Sequence, residues 1–179
     1  PDRPLFVGID MALRHDSVAI VYGQKDENDV IYTQAKIWLP QDENFMDYQE
    51  IEAFVVDLMK KYRVQEVAYD PAFFERSAQV LLDRGVPMVN FPQTHSRMIP
   101  ACGNAYDLIA NNKVRHNGDP TFTDQVMSAA QRTTDMGWRL SKGRSKRKID
   151  SCIAMVMMLD RITAPDPLDD EPEVAIINL

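Results

Sequence analysis

Two short apolar runs in this chain each stop on an aspartate, Leu5-Phe6-Val7-Gly8-Ile9-Asp10 and Val67-Ala68-Tyr69-Asp70. A third, Asp150, opens a run of small and apolar residues with helical character. Strand ends and helix starts are places where a fold can gather acids that lie far apart along the chain. If the three are to meet, the two strands must be neighbours and the helix must aim its first turn at their ends.

The surrounding pattern supports such an arrangement. Residues 5–10 are apolar without clean alternation, as suits a strand buried on both faces. Residues 17–23 and 30–39 are rich in Val, Ile and Tyr, and the polar stretch 24–29 between them reads as a hairpin turn. Residues 47–62 place apolar side chains at 51, 54, 55, 58 and 59, a helical period with Asp47 as its cap. A strand over 64–70 stopped by Pro71, a helix over 73–84 ended by Gly85 and a strand over 86–91 ended by Pro92 follow. Beyond them, 95–111 reads as a helix, Pro120 opens another at its permitted first-turn position, 138–140 as a short strand, and 149–162 as the closing helix.

This order implies an α/β fold with a mixed five-stranded sheet, three antiparallel strands followed by parallel ones, flanked by helices. The first strand is central, and the helix over 47–62 is the crossover that a parallel neighbour requires. Ligands of such sheets gather outside the carboxyl ends of parallel strands, where Asp10 and Asp70 lie. Alternation puts Asp10 on one face with Gly8, and Asp70 on one face with Ala68, small neighbours that suggest room for an ion and a substrate. Asp150 tops the stripe Ile153, Ala154 and Met157, where a lone buried charge is costly, so it must be paired or liganded.

Each acid taken singly has an ordinary reading: Asp10 and Asp70 as turn residues, Asp150 as a helix N-cap. Jointly they point to a site of oxygen donors, which favours Mg²⁺ or Mn²⁺ over Zn²⁺. Two such ions about 4 Å apart would clamp the attacking and leaving oxygens of a phosphoryl transfer. Cys102 and Cys152 lack metal-ligand spacing and read as reduced interior thiols. His95 and His116 pair with no other His or Cys in the sequence and read as surface or capping residues.

Charge qualifies the nucleic-acid question. The net charge is −7, but residues 166–179 carry five acids and no Lys or Arg; without them it is −2. Just before Asp150, five cations crowd together: Lys142, Arg144, Lys146, Arg147 and Lys148. Such runs are often plain solvated loops, yet here the cations sit at the mouth of an anionic site, where phosphate contact is favoured. Lys148 is the foremost candidate for a scissile-phosphate contact. Arg14, His15 and Asp16 follow Asp10 and read as loop residues, with Asp16 open as a fourth ligand. No recognition helix stands out, so any DNA contact is expected to be to the backbone.

The 179 residues suit one domain, here expected over 1–164, with an acidic, proline-containing and disordered tail over 165–179. The longest apolar run, 153–159, is too short to cross a bilayer. No secretion signal is evident, which leads to an expected cytoplasmic setting.

Gly8-Ile9-Asp10, Ala68-Tyr69-Asp70-Pro71 and Lys148-Ile149-Asp150 together resemble the nuclease domain of tailed-phage terminase large subunits. The resemblance runs from about residue 5 to 162 and includes the segment Asn112-Lys113-Val114-Arg115-His116-Asn117-Gly118-Asp119-Pro120. It implies a ribonuclease H-like fold, with Asp10, Asp70 and Asp150 as metal ligands of an endonuclease that cuts concatemeric double-stranded viral DNA during packaging. It further implies an ATPase motor domain, a small terminase subunit and a portal protein as partners, in the cytoplasm of an infected bacterium. The chain carries no Gly-x-x-x-x-Gly-Lys-Ser/Thr loop, so the motor was removed or the chain is a stand-alone relative. Other readings stay open: a junction resolvase, a transposase core or a hybrid nuclease of the same fold, or a non-catalytic module docking on a packaging motor. A sugar kinase is disfavoured because Ala12-Leu13-Arg14-His15 offers no glycine for a phosphate loop.

Overall fold

A computed structural model of the chain describes residues 2–12, 17–39, 47–141 and 147–164. Its centre is β1 (Pro4–Ala12), paired antiparallel with β2 (Ser17–Lys25), which pairs antiparallel with β3 (Ile31–Trp38). The carboxylate of Asp26 closes the turn between β2 and β3 by accepting from the Asn28 and Val30 amides, both at 2.9 Å. Helix α1 (Tyr48–Lys61), capped by Asp47, then crosses over the sheet. It delivers β4 (Arg63–Tyr69) parallel to β1 on the other side. Helix α2 (Pro71–Asp83) leads to β5 (Met88–Asn90), parallel to β4, after Gly85 ends the helix in the left-handed conformation at φ 79°.

Helix α3 (His95–Ala110) follows, and then the one departure from the expected sheet. Residues Val114–His116 form β6, a sixth strand parallel to β3, so the order is β5-β4-β1-β2-β3-β6. Three residues are too few to show a strand period in sequence. What makes them a strand is a partner: the Ile31 amide donates to Lys113 O at 2.7 Å, and Thr33 Oγ1 to Arg115 O at 3.0 Å. Helix α4 (Pro120–Met127) comes next. The strand expected over 138–140 is β8 (Gly137–Leu140), paired with β7 (Gln131–Thr134) in a separate two-stranded hairpin. Helix α5 (Asp150–Ile162) closes the described part of the fold.

The sheet is sandwiched. Leu5, Val7 and Ile9 of β1 pack with Ile51 and Val55 of α1 and Phe74, Ala78 and Leu81 of α2. On the other face Ala19, Val21, Ile31 and Ala68 pack with Met98 and Ala101 of α3, Phe122 of α4 and α5. Residues 150–159 of α5 are buried without exception, which explains why that helix is apolar on every side rather than along a stripe. Among the described residues no helix is long and apolar enough to cross a membrane.

Candidate active site

The position of Asp10 follows from that of Gly8. A Cβ built on Gly8 would lie 2.0 Å from the Ala154 carbonyl oxygen, so this side of β1 faces the backbone of α5 directly. Asp10, two residues on, shares that face and is 1% exposed. Its Oδ1 accepts a hydrogen bond from Gln93 Nε2 at 2.6 Å. The small residues beside the acids therefore serve a different purpose from the one expected. The space beside Gly8 is taken by the closing helix, and Ala68 lies in the core rather than leaving room for an ion or substrate.

Asp70 stands one step past the last paired residues of β1 and β4, Ile9 opposite Tyr69. It is thus beside Asp10 on the neighbouring parallel strand, about 4.8 Å away in the sheet direction. Here the ordinary reading is also realised: Asp70 is the N-cap of α2, its Oδ1 accepting from the Ala72 amide at 3.2 Å. It is half-buried and lines an open concave surface with Pro71, Ala72, Pro92, Gln93 and Thr94.

Asp150 is the first residue of α5 and is 2% exposed. It is not the cap; that position falls to Ile149, which makes no side-chain cap bond. Asp150 Oδ2 accepts from Ser17 Oγ at 2.5 Å. Ser17 opposes Ala12 in the β1–β2 ladder, two positions along from the Asp10–Ala19 pair and on the same face. The first turn of α5 is held from outside by Gln125 of α4, whose Oε1 accepts from both the amide and the hydroxyl of Ser151 at 2.8 Å.

Register, face and hydrogen bonds therefore put all three acids at one end of the sheet, on the side covered by α5. Burial pushes the Cys152 thiol in this turn up to about 12, with the charges of Cys102 and Asp10 adding to the effect. Among the described residues no three His, Cys, Asp or Glu side chains form a ready metal cage. Asp10 and Asp150 are engaged by neutral donors, and Asp70 is turned to its own helix cap. In chemistry the donors fit a hard divalent cation, being all oxygen, with two of them almost fully withdrawn from water.

Of the basic segment, Lys142, Arg144 and Lys146 lie outside the described residues, as do Arg14, His15 and Asp16. Arg147 is exposed and forms an ion pair with Asp124 of α4, while Lys148 is half-buried two residues before Asp150. Gln93, Ser17 and Gln125 were not anticipated from the sequence. Gln93 follows Pro92 just beyond the end of β5, so the strand-end rule that singles out Asp10 and Asp70 also reaches it once neutral polar residues are admitted. Gln125 carries no local signal, because its partner lies 26 residues away.

A family model described as the terminase large subunit, endonuclease domain, matches residues 35–166, a stretch holding Asp70 and Asp150 and starting after Asp10. The large terminase subunit of Enterobacteria phage HK97 is 23% identical over 185 residues, covering 87% of this chain and 36% of that protein. The chain thus spans well under half the length of that relative. The crystal structure of the HK97 large terminase superposes with a TM-score of 0.82 at 21% identity, over 90% of this chain and 40% of that one. The large terminase nuclease of thermophilic phage G20c with bound magnesium gives a TM-score of 0.70 at 15% identity, over 90% and 82%. At these identities the structural likenesses show the fold, the ribonuclease H-like mixed sheet. Taken with the match along three quarters of its length, they make this chain a member of the terminase large subunit endonuclease domain family.

Proposed function

We propose that the chain is a divalent-metal-dependent endodeoxyribonuclease that cuts concatemeric double-stranded viral DNA during genome packaging, with Asp10, Asp70 and Asp150 as metal ligands. The observation that carries this reading is the pair Asp10 and Asp150, both nearly fully buried and brought to one end of the central strand from positions 140 residues apart in sequence. Burying carboxylates is expensive, and a fold keeps two of them side by side where cations are to be held. Family membership and the magnesium bound by the G20c nuclease support the same reading.

With Mg²⁺ or Mn²⁺ bound, the site gains a Lewis acid that activates a water and offsets charge on the leaving oxygen, two ions sharing those roles. The residues of the chain do the rest. Asp10 is fixed by β1, and Asp150 by Ser17 and by the Gln125 clamp on its helix. Asp70, at the more open side, would complete the set. Lys148 meets the scissile phosphate, and Lys142, Arg144, Lys146 and Arg147 hold the flanking backbone, which makes binding weakly dependent on base sequence.

In this reading residues 1–164 form the nuclease unit and 165–179 lie outside it. The remaining context follows from the family: a motor domain on the same polypeptide or a partner, a small terminase subunit and a portal protein, in the cytoplasm of the infected host. The test is cleavage of supercoiled plasmid in Mn²⁺. D10N and D150N are expected to lose at least 10²-fold in rate while keeping the wild-type circular dichroism spectrum. Full activity in both variants removes the assignment.

A further inference from the structure

We propose that Gln93 is a positioning residue of this metal centre, holding the Asp10 carboxylate in its binding orientation through an N–H donor and not as a ligand itself. The inference rests on the metal reading above and adds a residue that reading does not need.

The geometry is specific. Gln93 Nε2 lies 2.6 Å from Asp10 Oδ1, a short contact for an amide and a carboxylate, which can only accept. Gln93 is itself anchored. Pro92 precedes it, next to the fully buried Phe91; the Thr94 amide donates across it to Pro92 O at 2.8 Å; and Arg139 Nη1 of β8 donates to its own carbonyl at 3.2 Å. A side chain so held restrains one oxygen of the Asp10 carboxylate. Gln93 also lines the concave surface that Asp70 lines, so it stands on the side of Asp10 that faces the second acid.

The chemistry of the donor matters as well. A Lys or Arg in this place would satisfy Asp10 equally well but would add a positive charge that repels an incoming cation. An amide donates to the carboxylate and adds no charge of its own to the site. Outer hydrogen-bond partners of metal-ligating groups characteristically contribute 10- to 100-fold in metal affinity by this kind of orientation.

The test is calorimetric titration of Mn²⁺ into the full chain, without DNA, for wild type, Q93M, D10N and N104A. Q93M keeps the length and volume of the side chain and removes the donor. N104A removes a hydrogen bond of similar kind at the far end of α5, where Asn104 Nδ2 donates to Thr163 Oγ1 at 2.8 Å. The expected result is a Kd raised 10- to 100-fold in Q93M, loss of binding in D10N, and a wild-type Kd in N104A even if its melting temperature falls. A Q93M Kd within twofold of wild type overturns the inference and leaves the metal reading standing. Absence of saturable binding by wild type overturns both. Circular dichroism confirms folding of each variant; should Q93M not fold, Q93A is read by the same criteria, since residue 93 is only partly buried.

Discussion

Gly8 lies where β1 meets the backbone of α5, and a Cβ there would stand 2.0 Å from the Ala154 carbonyl oxygen. The pairing of glycine and aspartate two apart on β1 was visible in the sequence, and so was the shared face. That the space belongs to α5 was not, because the Ala154 carbonyl comes from 146 residues away. A methyl group there meets backbone, which cannot swing aside as a side chain can. Gly8→Ala is therefore expected to destabilise the protein by at least the 1–3 kcal/mol typical of overpacking, read as a lowered urea midpoint. The cysteines carry a second prediction at this scale. Burial raises both thiols, Cys152 to about 12, while an unfolded thiol ionises near 8.5. Above that pH the unfolded chain releases protons that the folded chain retains. The stabilising contribution is whole below about pH 8.5 and declines as pH climbs toward 12. Urea midpoints measured between pH 8 and 11 should fall, and Cys152→Ala should flatten the decline.

Whole elements were more legible than their pairings. Asp47 caps α1, Pro71 and Pro120 occupy the first turns of α2 and α4, and Gly85 terminates α2, each a local signal with a local cause. Strands β6 and β7 were not legible, since they are short and owe their conformation to β3 and β8. Helix α5 was recognised as a helix, but the way it is held was hidden. At its start Gln125 supplies the acceptor that its own N-cap, Ile149, lacks. At its far end Arg161 grips Glu66 of β4 with two hydrogen bonds of 2.5 and 2.9 Å, and Arg97 of α3 pairs with Asp160 at 3.2 Å. The two ends do separate jobs: the far end fixes the helix to the sheet, and the near end sets where Asp150 points. Gln125→Ala leaves the buried Ser151 amide without this acceptor, a loss of about 1–3 kcal/mol. It should also lower Mn²⁺-supported cleavage more than R161M does at equal loss of stability, as shown by comparing rates with urea midpoints for the two variants.

For the molecule as a whole, the topology carries three acids scattered along the sequence to one end of the sheet. A central β1, a parallel β4 beside it and a helix laid antiparallel across them bring Asp10, Asp70 and Asp150 to a single edge. The order of elements already implies that β1 and β4 are parallel neighbours. The strand-end rule reaches Gln93 as a position, but its bond to Asp10 and that of Ser17 to Asp150 come from tertiary packing over long separations in sequence. Along the sequence, five of the 20 Lys and Arg fall just before Asp150, and five acids with no Lys or Arg fall in residues 166–179. Anomalous diffraction from a crystal of the protein soaked in Mn²⁺ tests this arrangement most directly. Manganese peaks bridging the carboxylates of Asp10, Asp70 and Asp150 are the predicted result. Peaks confined to other acids, with those three carboxylates still bound only to their protein partners at saturating Mn²⁺, would contradict it.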